Sequence, residues 1–483
     1  MSTKHVDVLI VGAGISGIGT AYHLQANSPD RSYSIIEARQ EVGGTWDLFR
    51  YPGIRSDSDM YTFGFNFKPW SSPKAISPGG DIRDYVKEAA VENGIYANIQ
   101  FSHKVIHASW SSENKYWSVT VLNTATGEER IVICNFFFAA SGYYSYDEGY
   151  TPEFIGRDDF KGEVIHPQKW PENLDYSGKK VIVIGSGATA VTLVPSMAET
   201  AEQVVMLQRS PTYIAAVPEQ DQFANFLRRY LPANIAYSLS RWKKILLGIL
   251  MFNFAKRYPG KTKKMIMDGA KDYLGDDFDI YKHFSPSYKP WDQRICAVPD
   301  GDLFKSIRSG KAVMVTDHID RFTENGIKLK SGEELRADII VTATGLNAAI
   351  FHNMSFEVDG ENIEIGKTFC YKGMMLSGMS NFAFSMGYTN ASWTLKSDLV
   401  GQYIARLLNY MSEKSFSQYM PTVPDQGLEV EPMMNFTSGY VLRSIDSMPK
   451  QGKHKPWRLR QNYILDRISL STGSVNDSSI YFS

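Results

Sequence analysis

Two glycine-rich loops carry the chemistry that residue types and spacing reveal most directly. Gly12-Ala13-Gly14-Ile15-Ser16-Gly17 follows the apolar run Val6 to Val11 and leads into the helical pattern Ile18 to Gln25. Strand, glycine turn and helix in this order suit the pyrophosphate of a dinucleotide. Gly12 permits the tight turn, Gly14 lets the phosphates approach the backbone, and Gly17 lets the helix pack close to the strand. The helix N-terminus adds N–H donors and a positive dipole end. Without these flanking elements the glycine pattern would describe any Gly-rich surface loop. A second strand, Tyr33 to Ile36, ends at Glu37, twenty positions beyond Gly17, where a carboxylate can accept both ribose hydroxyls and would repel a 2′-phosphate. The other loop, Gly185-Ser186-Gly187-Ala188-Thr189-Ala190, lies between the strand pattern Val181 to Ile184 and the apolar helix Val191 to Met197. Its second strand, Gln203 to Leu207, ends in Gln208-Arg209, and Arg209 stands nineteen residues after Ala190, placed to pair with a 2′-phosphate. The loops therefore differ in the sign of one charge, which suits FAD at the first and NADPH at the second.

The surrounding elements say how such loops would be held. Gly43-Gly44-Thr45-Trp46 follows Glu37, where many flavoproteins place a glycine-rich loop beside FAD. Arg50-Tyr51-Pro52-Gly53-Ile54-Arg55-Ser56-Asp57 then sets a Pro-Gly turn among two arginines and an aspartate. Two buried-strand runs end in small residues, Phe136 to Gly142 and Ala337 to Gly345. They read as crossings between the two nucleotide folds, where small residues let the backbone pass close to the cofactors. Phe382 to Gly387 and Asp398 to Met411, a strand and an amphipathic helix, return to the first fold. The expected class is α/β, with two Rossmann-like dinucleotide-binding domains and a helical insertion. Residues 1–146 and 345–483 would form a discontinuous FAD-binding domain, and 147–344 an NADPH-binding domain with its insertion at about 213–293.

Composition narrows the alternatives. A chain of 483 residues predicts two to four domains. Its net charge of -1 gives no overall reason to expect a nucleic-acid partner. Cys134, Cys296 and Cys370 are far apart, so adjacent ligands supply neither a zinc knuckle nor a dithiol pair, and no metal site is expected. The opening residues lack the apolar region of a signal peptide, and no apolar run approaches the ~18–20 residues that span a bilayer. A cytoplasmic protein is the expectation.

Between the two folds lies Phe160-Lys161-Gly162-Glu163-Val164-Ile165-His166-Pro167-Gln168-Lys169-Trp170-Pro171. It matches the Phe-x-Gly-x-x-x-His-x-x-x-Trp-Pro fingerprint of type I Baeyer–Villiger monooxygenases. The chain resembles that family along essentially its whole length, Gly-Gly-x-Trp and Tyr-Pro-Gly-x-x-x-Asp included. Within it, Gly44 to Asp59 and Gly387 to Thr394 resemble the ethionamide-activating FAD-containing monooxygenase group. The resemblance implies that NADPH reduces the flavin, that O2 adds to it, and that the resulting peroxyflavin anion attacks a ketone to give an ester or lactone, with oxygenation of thioethers or thioamides alongside. A fixed cation is then required, and the family's Gln-Arg step falls at Gln293-Arg294, which gives the catalytic role to Arg294, oriented by Asp57. The resemblance also implies FAD contacts at Gly12, Gly14, Ser16, Gly17, Glu37, Gly44, Thr45, Trp46, Asp47, Leu48, Asp57 and Val105. NADPH contacts would fall at Arg55, Ser56, Asp57, Gly185, Ser186, Gly187, Ala188, Thr189, Ala190, Gln208 and Arg209. His166 reads as an interdomain hydrogen-bond anchor rather than an acid or base, and Trp170 as a packing wedge. N- and S-oxygenating flavin monooxygenases usually carry Phe or Tyr at the Trp170 position. An N/S-oxygenase without ketone chemistry, or a flavin NADPH oxidase, are the alternatives.

One segment escapes the overall charge balance. Gln222 to Met267 holds ten Lys/Arg and no Asp or Glu, around the apolar run Ile245 to Phe252. Such a segment suits a helical cap over the substrate channel with a solvated basic face. Peripheral contact with the inner face of a membrane is the other reading.

Overall fold

The computed structural model describes residues 4–434 and 438–483. Val8, Leu9 and Ile10 are fully buried, as expected of a strand covered on both faces. Their strand, Lys4–Val11, runs parallel between Tyr33–Ile36 and Glu129–Ala139. These strands centre a nine-stranded sheet that continues through the antiparallel strands Tyr116–Asn123 and His103–Ser111 to Ser355–Val358 and Glu361–Asn362. Phe382–Phe384 adds to Glu129–Ala139 in parallel, so chain from both ends of the sequence meets in one sheet. Helices Ile15–Asn27 and Trp393–Glu413 pack together over it. A Cβ at Gly401 would come within 2.9 Å of the His23 ring, so glycine sets how closely these helices approach.

The middle of the chain makes a five-stranded, all-parallel sheet in the order Ala312–Thr316, Gln203–Gln208, Lys180–Ile184, Ile339–Thr342, Glu163–Ile165. A parallel strand pair, Ile214–Val217 with Cys296–Pro299, forms the base of the insertion, whose helices begin at Gln222 rather than at about 213. Above that base lie helices Gln222–Tyr230, Ala233–Arg257, Pro259–Leu274 and Ile280–Phe284.

The segments that follow the two crossings pair with each other. Tyr144–Gly149 and Leu346–Ala348 run antiparallel, forming a two-stranded connection between the sheets. His166 sits on this junction, its Nε2–H donating to the Gly345 carbonyl at 3.1 Å and its Nδ1 accepting from Gln168 N–H at 3.2 Å. The ring lies so close to Gly149 that a Cβ there would come within 1.9 Å of it. Gly162 is fixed by similar crowding, since its Cβ would meet the Asp338 carbonyl at 2.2 Å. Phe160 is buried edge-on against Phe322, and Trp170 packs at the rim of the second fold's core.

Both His166 nitrogens are engaged in the neutral form, and burial holds its pKa below the usual histidine value. The native state therefore takes up its proton later than the unfolded chain as pH falls. Stability contributed by this group is present above about pH 6.5 and is lost as pH drops through the lower folded value. Thermal denaturation between neutral and mildly acidic pH should show that loss, and His166→Asn should make the profile shallower.

The insertion is less basic than its composition suggests. Five of the ten cations meet a carboxylate: Arg241 with Asp398, Lys243 and Lys244 with Asp221, Lys256 with Asp292, and Lys264 with Asp268. Local sequence hid this because, apart from Asp268, the partners lie outside the insertion helices, and Asp398 is more than a hundred residues away. Arg241 is buried to 3% exposure and also donates to the carbonyls of Tyr61 (2.9 Å) and Gly64 (2.7 Å), tying the insertion to the first fold.

Candidate active site

The two glycine loops solve the same packing problem with the same device. A Cβ at Gly12 would meet the Ala140 carbonyl at 2.7 Å, and one at Gly185 would meet the Ala343 carbonyl at 2.2 Å. Each crossing thus passes directly beneath the first glycine of a loop, and both glycines have positive φ (107° and 140°). Gly17 supports the first loop from behind, since its Cβ would lie 1.9 Å from the Gly12 carbonyl. Gly14 faces Gly44 backbone to backbone, and Gly43 N–H donates to the Ala13 carbonyl at 3.1 Å, so the loops of the first fold are joined. At Gly187 a Cβ would meet nothing within 4 Å, which leaves its backbone open to a ligand.

A cavity of about 590 Å³ runs from the first loop to the second fold. Gly12, Gly14, Ser16, Glu37, Gly44, Thr45, Trp46 and Val105 line one part, Arg55, Ser56, Asp57, Ala188 and Thr189 another, and Arg294 stands with them. Glu37 is buried and accepts from Ala13 N–H at 2.7 Å and Arg39 N–H at 2.9 Å; burial pushes its carboxyl pKa up while these bonds oppose the shift. Ser141 Oγ and Arg55 Nε have no partner among the described residues, although both residues line the cavity. Buried polar atoms left in this way fit a polar, anionic occupant. Apolar walls from Ile15, Ile36, Val105 and Trp46 fit flat rings.

Other predicted contacts lie elsewhere. Asp47 is 2% exposed and its carboxylate pairs with Arg39 and Arg50 behind the wall, while Leu48 packs toward the second fold's core. Gly185, Ser186, Gly187 and Ala190 belong to the second loop, outside this cavity, and Ser186 Oγ donates to the Ser210 carbonyl at 3.1 Å. Gln208 departs most from expectation. It is 1% exposed, and its Nε2 donates to the His283 carbonyl and Thr316 Oγ1, both at 2.8 Å. Alternation along the strand puts it on the buried face of Val204 and Met206, and its Oε1 has no partner among the described residues. Arg209, next in line, is exposed, and no acid pairs with it among the described residues.

Arg294 is the cation at the centre. Its Nη1 donates to Asp57 Oδ2 at 2.9 Å, joining the insertion's return linker to the Tyr-Pro-Gly motif of the first fold. Asp57 holds the guanidinium pKa above its ordinary value, so the positive charge is permanent. The long helix Ala233–Arg257 pins the linker: Lys256 Nζ reaches the Trp291 carbonyl at 3.2 Å and Asp292 at 3.0 Å, and Phe252 packs edge-on against Trp291. Tyr143, Tyr144 and Tyr440 surround the same arginine, and burial pushes their phenol pKa values up, leaving them neutral hydrogen-bonding groups. Trp393 stacks on Tyr143 at 5.3 Å and donates through Nε1 to Ser16 Oγ at 2.7 Å, linking this wall to the first glycine loop. Cys296 also lines the cavity, with its thiol pushed by burial up to about 12. Sequence reasoning missed the tyrosines, although two directly follow the crossing glycine Gly142.

The family profile described as flavin-binding monooxygenase-like matches residues 69–386, and one described as an NAD(P)-binding Rossmann-like domain matches residues 10–72. The chain belongs to the flavin-binding monooxygenase-like family. This monooxygenase is 52% identical over 481 residues to the FAD-containing monooxygenase EthA of Mycolicibacterium smegmatis, covering 99% of this chain and 97% of that protein. It has the same identity to EthA of Mycobacterium tuberculosis, covering 99% and 98%. Its fold is similar to that of an oxidized steroid monooxygenase solved with NADP, with a TM-score of 0.78, 21% identity and 99% of both chains covered. As a flavin monooxygenase it takes O2 and a small-molecule substrate, and the cavity that holds Arg294 is where they would meet.

Proposed function

We propose that this monooxygenase binds FAD at the first glycine loop and NADPH at the second, and uses O2 to convert ketones to esters or lactones. The observation that carries this reading is the Arg294–Asp57 pair, set in a cavity lined by both folds. The overall change balances as ketone, O2, NADPH and a proton giving ester, NADP+ and water: one oxygen atom enters a carbon–carbon bond beside the carbonyl and the other leaves as water. Bound FAD would supply the redox chemistry between NADPH and O2. This chain's residues do the rest. Glu37 is placed to accept ribose hydroxyls, Gly14 lines the cavity where one pyrophosphate would lie, and the open backbone of Gly187 leaves room for the other. The Arg294 guanidinium is placed to stabilise negative charge that grows on oxygen during attack on the carbonyl, without itself giving up a proton. Asp57 orients it, and Tyr143, Tyr440 and Trp393 line the space beside it.

Thioethers and thioamides fit the same cavity, and their oxidation builds no tetrahedral alkoxide, so it depends less on the cation. The reading divides the chain into a discontinuous FAD-binding domain, residues 1–146 and 345–483, and an NADPH-binding domain, 147–344, and takes the antiparallel pair Tyr144–Gly149 and Leu346–Ala348 as the hinge between them. The reading also takes the enzyme to be cytoplasmic. Among the described residues no helix is long and apolar enough to cross a membrane.

Anaerobic NADPH should bleach the FAD absorbance of the holoenzyme, and admitting O2 with a ketone should restore it with formation of ester. Restored absorbance without ester from any ketone, but with sulfoxide from a thioether, would move the assignment to a sulfur oxygenase. Arg209→Ala should raise the KM for NADPH about tenfold or more while leaving that for NADH nearly unchanged, because only NADPH carries the 2′-phosphate. Equal effects on both cofactors would remove Arg209 from that role.

A further inference from the structure

Helix Ala233–Arg257 presents three different faces. Ala236, Tyr237, Ser240 and Arg241 are buried. Ile245, Gly248, Ile249 and Phe252 line a second cavity of about 190 Å³, which Asp57, Asn390 and Leu395 help to close. The remaining face is apolar and open: Ile235, Leu239, Leu246, Leu250 and Phe254 are between 39% and 65% exposed. Their spacing of four, seven, four and four residues aligns them in one stripe. The neighbouring helix Gln222–Tyr230 exposes Phe223, Phe226 and Tyr230, and Lys243 Nζ lies 4.1 Å over the Phe223 ring, joining the two surfaces. Isolated exposed leucines need no explanation, but a continuous apolar surface across two helices does.

The charges beside the stripe indicate its partner. Arg229, Arg257 and Lys261 pair with no acid among the described residues, while Arg228 and Lys263 donate only to uncharged oxygens. An apolar stripe with cations around it is the pattern of a helix lying in the interface of an anionic bilayer. A second copy of the chain fits less well, because a two-fold contact would bring this positive surface against itself.

We propose that the open face of the insertion seats on an anionic lipid bilayer, and that the enzyme takes its substrate from there as an apolar compound dissolved in the leaflet. The bilayer contact stands on the stripe and its cations; the identity of the oxidised group rests on the ketone reading above. The same helix that meets lipid on one side lines on the other a cavity that reaches Asp57, the partner of Arg294.

Sedimentation of the holoenzyme with vesicles tests the contact. Wild type should pellet with phosphatidylglycerol-containing vesicles at low salt, less at high salt, and weakly with phosphatidylcholine alone. The double variant Leu246→Glu, Leu250→Glu should bind about a hundredfold more weakly. It should oxidise a short water-soluble ketone at the wild-type rate, which shows that it folds, yet lose most activity on a long-chain ketone embedded in anionic vesicles. Wild-type protein remaining in the supernatant would overturn the proposal. So would a wild-type dimer that the variant turns into a monomer by light scattering, which would assign the face to a second copy. Unchanged activity of the variant on the embedded ketone would overturn delivery from the leaflet. Failure of wild type on every ketone, soluble or embedded, with vesicle binding intact would instead count against the ketone reading alone.

Discussion

Arg294→Ala abolishes ester formation while NADPH oxidation continues, with hydrogen peroxide replacing the organic product. That is the result expected if the guanidinium stabilises charge on oxygen during attack on the carbonyl rather than assisting cofactor reduction. Loss of one such fixed donor typically costs on the order of 10²–10³ in rate. Arg294→Lys should recover little, because a lysine cannot bond Asp57 and an anion together through one planar fork. Sulfoxidation should fall less than ester formation. Product analysis by gas chromatography, with NADPH followed in parallel, separates these outcomes; retained ester formation would remove Arg294 from the mechanism.

Arg241→Ala should destabilise the protein by about 3–5 kcal/mol, the usual consequence of breaking a buried ion pair on one side. Arg241 and Asp398 are both nearly inaccessible and approach to 3.4 Å, and Arg241 also satisfies the Tyr61 and Gly64 carbonyls. Removing the arginine leaves those acceptors and a buried carboxylate without their cation, at the point where the insertion meets the first fold. The first unfolding transition should therefore move down sharply. Since that helix pins the Arg294 linker through Lys256, ester yield per NADPH should fall as well, before global unfolding. A thermal shift assay paired with coupling efficiency measures both. An unchanged melting temperature would show that the pair contributes no net stability.

The parts of this structure that depend on short-range sequence were legible. Gly12, Gly17 and Gly185 announce their loops because each excludes a Cβ where backbone crosses backbone, and the strands that lead into them end in the apolar runs Val8 to Val11 and Val181 to Ile184. The crossings could be read for the same reason, since Ala140 and Ala343 bring their carbonyls against those glycines. Long-range partnerships were not legible. Asp398 neutralises Arg241 from a distant helix, so the insertion's charge could not be judged from its own residues. Gln208 ends a strand pattern, which suggests a nucleotide contact, but both faces of this sheet are covered by elements distant in sequence, and its amide meets His283 and Thr316 there. The tyrosines around Arg294 come from segments about 150 residues before it and about 150 residues after it, and only folding assembles them.

Oxygen insertion driven by NADPH is the central claim, and isotopic labelling tests it most directly. The holoenzyme with FAD, NADPH and a ketone is supplied with O2 carrying the heavy oxygen isotope, and the ester is weighed by mass spectrometry against the NADPH consumed. One labelled oxygen atom in each ester, with one NADPH oxidised per ester formed, is the predicted result. NADPH consumed with unlabelled ester, or with hydrogen peroxide as the sole product from ketones and thioethers alike, would contradict it.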